Sequence, residues 1–81
     1  MRPSGELHTL PAPAGDGSGW RNEVNGRVLS RHKEREVAAA AGEAIARQMK
    51  LSHVVHESDG SVAERDGVRV AGDMAVGPGE Q

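Results

Sequence analysis

The stretch Glu34–Lys50, EREVAAAAGEAIARQMK, decides the fold because it predicts the one long helix of this chain. Alanine, glutamate, arginine and glutamine are all good helix formers. The apolar residues recur every four positions, at Val37, Ala41, Ile45 and Met49. The charged residues gather on the opposite side, at Glu36, Glu43, Arg47 and Lys50. This spacing is typical of an amphipathic helix that buries one side, so we expect the apolar stripe to face a sheet.

A glycine, Gly42, interrupts this helical stretch. Glycine in a helix interior costs about 1 kcal/mol relative to alanine because it leaves the unfolded backbone more freedom. The cost is tolerable if the missing side chain permits a close approach of the helix to the sheet.

Before the helix, the sequence predicts a β-hairpin. Asn25-Gly26 separates the runs Trp20–Val24 and Arg27–Ser30. Asn-Gly between two such runs is a strong hairpin signal, because a type I′ turn needs a positive φ at both central residues. We therefore expect two antiparallel strands joined at this turn.

After the helix, a second hairpin is predicted around Ser58-Asp59-Gly60. A two-residue Asp-Gly loop would place Val55 and Val62 on the same face of the sheet. A three-residue loop that ends in a positive-φ glycine would instead align Val54, His56 and Val62. The sequence leaves both registers open.

The predicted order is therefore β-β-α-β-β, an α+β fold in which a small antiparallel sheet carries one helix on one face. The single domain is expected over residues 20–67. Residues 1–19 are rich in proline and glycine and predict a mostly flexible leader, with Leu7–Leu10 suited to an extra edge strand because Pro11 cannot donate to a ladder. Residues 68–81 predict a flexible tail.

The core predicted from the sequence is thin for a chain of 81 residues, which lacks phenylalanine, tyrosine and cysteine. Small domains of this kind usually add a disulfide, a metal or a partner subunit. Without cysteine the first device is excluded, so we expect oligomerisation. The predicted core residues are Trp20, Val24, Val28, Leu29, Val37, Ala41, Ile45, Met49, Leu51, Val54 or Val55, and Val62.

These residues resemble a known family. A lone tryptophan opens a hairpin, an alanine-rich helix follows, and Val54-Val55-His56 leads through Asp59-Gly60 into Val62–Asp66. This order is similar to that of the small bacterial family catalogued as domain of unknown function 2188. The resemblance covers about half of the chain. It implies a small α+β fold and no established activity.

The polar residues offer no convincing catalytic or metal site. His53 and His56 are three positions apart, so on one strand they point to opposite faces and cannot chelate one ion. Ser30, His32 and Glu34 lie too close along the chain to converge as a nucleophile, base and orienting group. We therefore predict that the protein is not an enzyme, that it has no catalytic residues, and that it binds neither metal nor cofactor.

Charge is unevenly distributed although the net charge is only −2. Residues 21–35 are basic in balance and residues 57–66 are acidic, which suggests two unlike faces. The candidate binding patch lies on the second strand and the helix entry, where phosphates or carboxylates could be held. Its members are Arg27, Arg31, His32, Lys33 and Arg35.

The leading hypothesis for function is a non-catalytic interaction module that self-associates or binds another protein. Its motivation is the thin core together with the sheet face that the helix leaves uncovered. The alternative is weak nucleic-acid binding through the basic patch. The sequence has no apolar run long enough for a signal peptide or a membrane span, so we expect a cytoplasmic protein without membrane contact.

Overall fold

The computed structural model describes residues 5–70 of the chain. Within this part, one helix, α1 (Arg35–Met49), packs against one sheet of six strands. The predicted α+β class, with a helix on one face of a sheet, is confirmed. The strands are β1 (Glu6–Pro11), β2 (Trp20–Val24), β3 (Arg27–His32), β4 (Ser52–His56), β5 (Val62–Arg65) and β6 (Val68–Arg69).

The first strand, β1, lies in the middle of the sheet, whose order is β3-β2-β1-β4-β5-β6. It runs antiparallel to β2 and parallel to β4, so the sheet is mixed. The predictions of an antiparallel sheet and of an edge strand at residues 7–10 are therefore wrong. The edge position was predicted because proline cannot donate to a ladder. In the structure β4 pairs only with Glu6 to Thr9. Pro11 therefore lies past the end of β4, and its missing N–H interrupts no hydrogen bond on that side.

Both predicted hairpins are present. The turn between β2 and β3 has φ of 54° at Asn25 and 81° at Gly26, as a type I′ turn requires. The turn between β4 and β5 ends at Gly60, whose φ is 93°. His56 pairs directly with Val62. Of the two registers left open by the sequence, the three-residue loop is thus the one that forms.

A third hairpin was not predicted. Asp66 and Gly67 both have positive φ, 53° and 82°, and they join β5 to the short strand β6. Asp-Gly is a common type I′ pair, so the signal was present in the sequence. The sheet therefore continues into the first residues of the predicted tail, while residues 71–81 of that tail lie outside the described residues.

The helix buries a different stripe from the expected one. Ala38, Gly42 and Ala46 are buried, whereas Val37 and Met49 are 52% and 48% exposed. Relative to the prediction, the helix is rotated about its axis by about one residue. Its small side chains face the sheet because they allow the helix to approach closely. The prediction considered only the bulky apolar residues and therefore missed this. Within residues 5–70, α1 has 15 residues and carries several charges, so it is too short and too polar to span a bilayer.

The buried apolar side chains come from α1 and from β1, β4 and β5. Of the predicted core residues, Val54 and Val55 are both buried, and Leu29 is 37% exposed. Six apolar side chains are buried among the described residues, which is few for a sheet of this width. They are Leu7, Ala38, Ala46, Val54, Val55 and Ala63.

Candidate functional site

Beneath the middle of α1 lies a buried cluster of three polar side chains from three different strands. Thr9 of β1 and Asn22 of β2 are fully buried, and His53 of β4 is 8% exposed. The Thr9 hydroxyl lies 2.5 Å from Asn22 Oδ1 and 2.8 Å from His53 Nε2. Buried polar groups require such partners, because an unpaired one costs about 1 to 3 kcal/mol.

The direction of every hydrogen bond in this cluster follows from one acceptor. The backbone carbonyl of Ala38 can only accept, so the atom of Asn22 that lies 3.0 Å from it must be the donor Nδ2. Asn22 Oδ1 then accepts the Thr9 hydroxyl proton. The Thr9 oxygen in turn accepts from His53, which fixes the proton of the neutral imidazole on Nε2.

Gly42 makes this arrangement sterically possible. A Cβ atom at its position would lie 2.5 Å from Asn22 Oδ1, 2.6 Å from Thr9 Oγ1 and 2.8 Å from His53 Nε2. All three distances are shorter than a nonbonded contact allows. The expected reason for this glycine, a close approach of the helix to the sheet, is confirmed, and the surface approached is polar.

A groove opens beside the helix, above β4 and β5. The helix packs on β1, β2, β3 and β4 but, within residues 5–70, no Cα atom of α1 comes within 8 Å of one in β5. The inner side of β5 is therefore left uncovered, and the resulting groove has a volume of about 450 Å³. Its apolar lining includes Ala39, Ala40, Ala46, Leu51 and Val55. Its charged or polar lining consists of Glu43, Arg47, His53, Glu64 and Asp66.

His53 connects the buried cluster to the groove. Its Nε2 atom is engaged by Thr9, while no described residue supplies a partner for its Nδ1 atom. The residue itself lines the groove. The groove therefore contains an imidazole that is 8% exposed and that, among the described residues, is hydrogen-bonded only through Nε2.

Burial holds the pKa of His53 below its ordinary value of 6.5, although the carboxylates of Glu43, Asp66 and Glu64 act against the shift. The positive charge of a protonated His8 would add to the lowering. The imidazole is accordingly neutral at pH 7, in agreement with its role as a donor through Nε2 and an acceptor at Nδ1.

We expect the stability of the protein to depend on this histidine below pH 6.5. The unfolded chain takes up the His53 proton at a higher pH than the folded chain does. The free energy of unfolding should therefore decrease as the pH falls through 6.5, until the folded state is also protonated. Urea denaturation of wild type and His53→Gln between pH 7.5 and 4.5 would measure this. Parallel pH profiles of the two proteins would contradict the prediction.

The residues of the predicted basic patch are spread along β3 and on to the start of α1. Arg27 and His32 stand at opposite ends of β3, and the His32 ring contacts Ser30 at 3.0 Å. Arg31 lies 3.4 Å from Asp16 in the loop before β2. Lys33 is exposed after the end of β3.

The fifth member, Arg35, reaches away from the patch. Its Nε donates to the backbone carbonyl of His56 at 3.2 Å, and its guanidinium lies 3.6 Å from Glu57 and 5.8 Å from the centre of the Trp20 ring. It thereby ties the start of α1 to the end of β4. The positive charge of Arg35 is therefore largely balanced by contacts within the domain.

The two histidines of β4 point to opposite faces, as their spacing predicts. His53 lies under the helix, and His56 meets His8 of β1 on the other face, with His8 Nδ1 and His56 Nε2 2.9 Å apart. Within residues 5–70, no three histidine or carboxylate side chains are grouped to hold a metal ion.

The sequence reasoning missed both the buried cluster and the groove. A usable signal was the alternation along the strands: Thr9 follows Leu7 at a spacing of two, and Asn22 stands between Trp20 and Val24 at the same spacing. Polar residues at inward positions beneath a helical glycine indicate a buried network. The groove depends on how far one helix extends across six strands, which the sequence alone does not specify.

Comparison with known proteins identifies the family of this chain. The family model described as "Uncharacterized protein conserved in bacteria (DUF2188)" matches residues 7–68. No curated protein and no solved structure matches the chain. The matched region runs from β1 to the start of β6 and therefore includes the buried cluster and the groove.

Proposed function

This chain belongs to the family of uncharacterised bacterial proteins called domain of unknown function 2188, and we propose that its domain is a non-catalytic module that binds a segment of a partner protein in the groove beside α1. The observation that carries the proposal is the uncovered inner side of β5. A sheet face of this kind normally packs against another element, and here the helix stops short of it.

The lining of the groove supports a protein ligand. Its apolar residues form an area against which an aliphatic side chain can pack, and charged groups surround this area. A volume of about 450 Å³ is at the lower end of ligand sites and suits one or two side chains of an extended segment. The small apolar core also favours a domain that gains stability from a partner.

The hydrogen-bond directions argue against catalysis by Thr9, whose hydroxyl is the one buried hydroxyl within residues 5–70 that contacts a histidine. An activated nucleophile gives its proton to the base beside it. Here His53 donates to Thr9, and the Thr9 proton points to Asn22 Oδ1. The pair therefore has the opposite polarity to a nucleophile and its base, and Thr9 is fully buried.

Weak nucleic-acid binding is the alternative, and it rests on the exposed cations of β3 and the loop after it. Arg27 and Lys33 are exposed and form no ion pair with any described residue, which leaves both charges available for phosphate. Arg31 and Arg35 are already paired with Asp16 and Glu57. Two separated charges would give a shallow salt dependence, so we rank this function second.

Selection of peptides on the immobilised protein tests the leading proposal. A random peptide library is panned on wild type and counter-selected on Ala40→Trp, which places an indole over the groove. Val37→Trp adds the same side chain to an exposed part of the helix outside the groove lining. We expect peptides that bind wild type and Val37→Trp but lose at least tenfold in affinity for Ala40→Trp.

Two results would overturn this proposal. One is that no selected peptide distinguishes Ala40→Trp from Val37→Trp. The other is a wild-type dimer in sedimentation that Ala40→Trp converts to a monomer while Val37→Trp does not, because the groove would then hold a second copy of this chain and not a separate partner.

A further inference from the structure

We infer that the groove selects a lysine or arginine side chain of the partner segment, an inference that rests on the proposed function. The chemistry of the groove is that of a receptor for a long side chain with an apolar stem and a cationic head. Three carboxylates and one free histidine nitrogen surround an aliphatic floor, and a single arginine stands among them.

The charged groups of the groove carry an excess of negative charge. Arg47 is paired with Glu43 at 2.9 Å on the helix side, which leaves Glu64 and Asp66 on the strand side to balance a cation. Asp66 Oδ1 accepts the backbone N–H of His53 at 2.9 Å, so this carboxylate is held beside the imidazole. Glu64 forms no ion pair with any other residue of the described chain.

The second and independent observation is the histidine itself. His53 is 8% exposed and lines the groove, its Nε2 proton is committed to Thr9, and no residue within 5–70 contacts its Nδ1. A donor on the ligand would pair with this acceptor. Ammonium and guanidinium groups are donors only, so they match an acceptor nitrogen next to carboxylates.

The apolar floor of the groove provides a surface for the aliphatic stem of the bound lysine or arginine side chain. Leu51, Val55 and Ala46 offer an apolar strip beneath the charged groups. Lysine and arginine bury their methylene groups along such strips while the charged end reaches polar partners. A carboxylate side chain would be repelled, and a purely apolar one would leave Nδ1 and the carboxylates unmatched.

The inference is tested with four small probes in NMR titrations of the whole protein. The probes are the N-acetyl methylamides of arginine, lysine, citrulline and norleucine; citrulline keeps the shape of arginine without its charge, and norleucine keeps the stem of lysine. We expect shifts of groove amides and of the His53 Nδ1 resonance with the two cationic probes, and binding at least tenfold weaker with the two neutral ones.

Two variants locate the contact. Glu64→Gln removes one groove carboxylate, and we expect it to weaken binding of the arginine probe by about tenfold, the loss of one charge-assisted hydrogen bond. Glu34→Gln removes the same charge at the exposed residue before α1, outside the groove, and should leave the affinity within about twofold. Added salt should weaken the arginine probe and leave the citrulline probe unaffected.

The outcomes separate this inference from the proposed function. Equal binding of arginine and citrulline, or equal effects of Glu64→Gln and Glu34→Gln, would overturn the inference. If the peptides selected on the open groove lack basic residues, the proposed function stands and the inferred ligand class is wrong. If no peptide requires the open groove, both are wrong.

Discussion

Gly42→Ala should destabilise the protein by about 3 kcal/mol, although alanine is the better helix former. The propensity gain is about 1 kcal/mol. Against it, the new methyl group would lie 2.5 Å from Asn22 Oδ1 and 2.6 Å from Thr9 Oγ1, in a cluster whose members hold one another in place. Overpacking of this kind costs about 1 to 3 kcal/mol, and each displaced hydrogen bond adds about as much.

Urea denaturation measures this loss, with Ala44→Gly as the control. Ala44 is exposed on the same helix, so its replacement reports the helix propensity term alone, about 1 kcal/mol. A chain of 81 residues has about 4 to 12 kcal/mol of stability in total, so the Gly42→Ala protein should still fold at low temperature. A Gly42→Ala protein as stable as wild type would show that the helix is free to move away from the sheet.

Thr9→Val should also destabilise the protein by about 3 kcal/mol, while keeping the volume and the β-branched shape of the side chain. The hydroxyl is the only described partner of His53 Nε2, and it donates to Asn22 Oδ1. Valine leaves both groups buried and unpaired, at about 1 to 3 kcal/mol each. Thr9 and Asn22 are both 0% exposed, so water cannot easily replace the lost hydroxyl.

Thr9→Ser is the matched control for this substitution. It retains the hydroxyl and removes one methyl group, a loss of about 1 kcal/mol. The two unfolding free energies are compared at pH 7.5, together with the nitrogen resonances of His53, which report which ring atom carries the proton. Equal stability of the valine and serine proteins would mean that the hydroxyl bonds contribute nothing measurable.

The sequence was sufficient for the elements that depend on local chemistry. The alanine-rich helix, the Asn25-Gly26 turn and the presence of a turn around Ser58-Asp59-Gly60 follow from helix propensity and from the backbone freedom of particular residues. Their order needed no knowledge of the rest of the chain, whereas the length of the second loop was left open by the sequence. The Asp66-Gly67 turn carried the same kind of signal and was overlooked.

The features that the sequence did not yield all depend on contacts between distant segments. Thr9 and Asn22 are polar, so a rule that places apolar residues inside assigns them to the surface; they are buried because each satisfies the other and both fit beneath Gly42. The helix likewise turns its small residues toward the sheet, because only they leave room for this cluster. The members of the basic patch are spread out because Arg27 and His32 stand at opposite ends of β3, whereas Arg35 turns to His56 and Glu57.

The central position of β1 has a consequence for the order in which the protein is made. This strand is synthesised before the other five described strands, yet its parallel neighbour β4 begins only at Ser52. At about 5 to 20 residues per second, β1 must wait several seconds on the ribosome with one of its two hydrogen-bonding sides unfilled. We expect the native sheet to close only after β4 has emerged from the ribosome, so the middle of the sheet is completed late in synthesis.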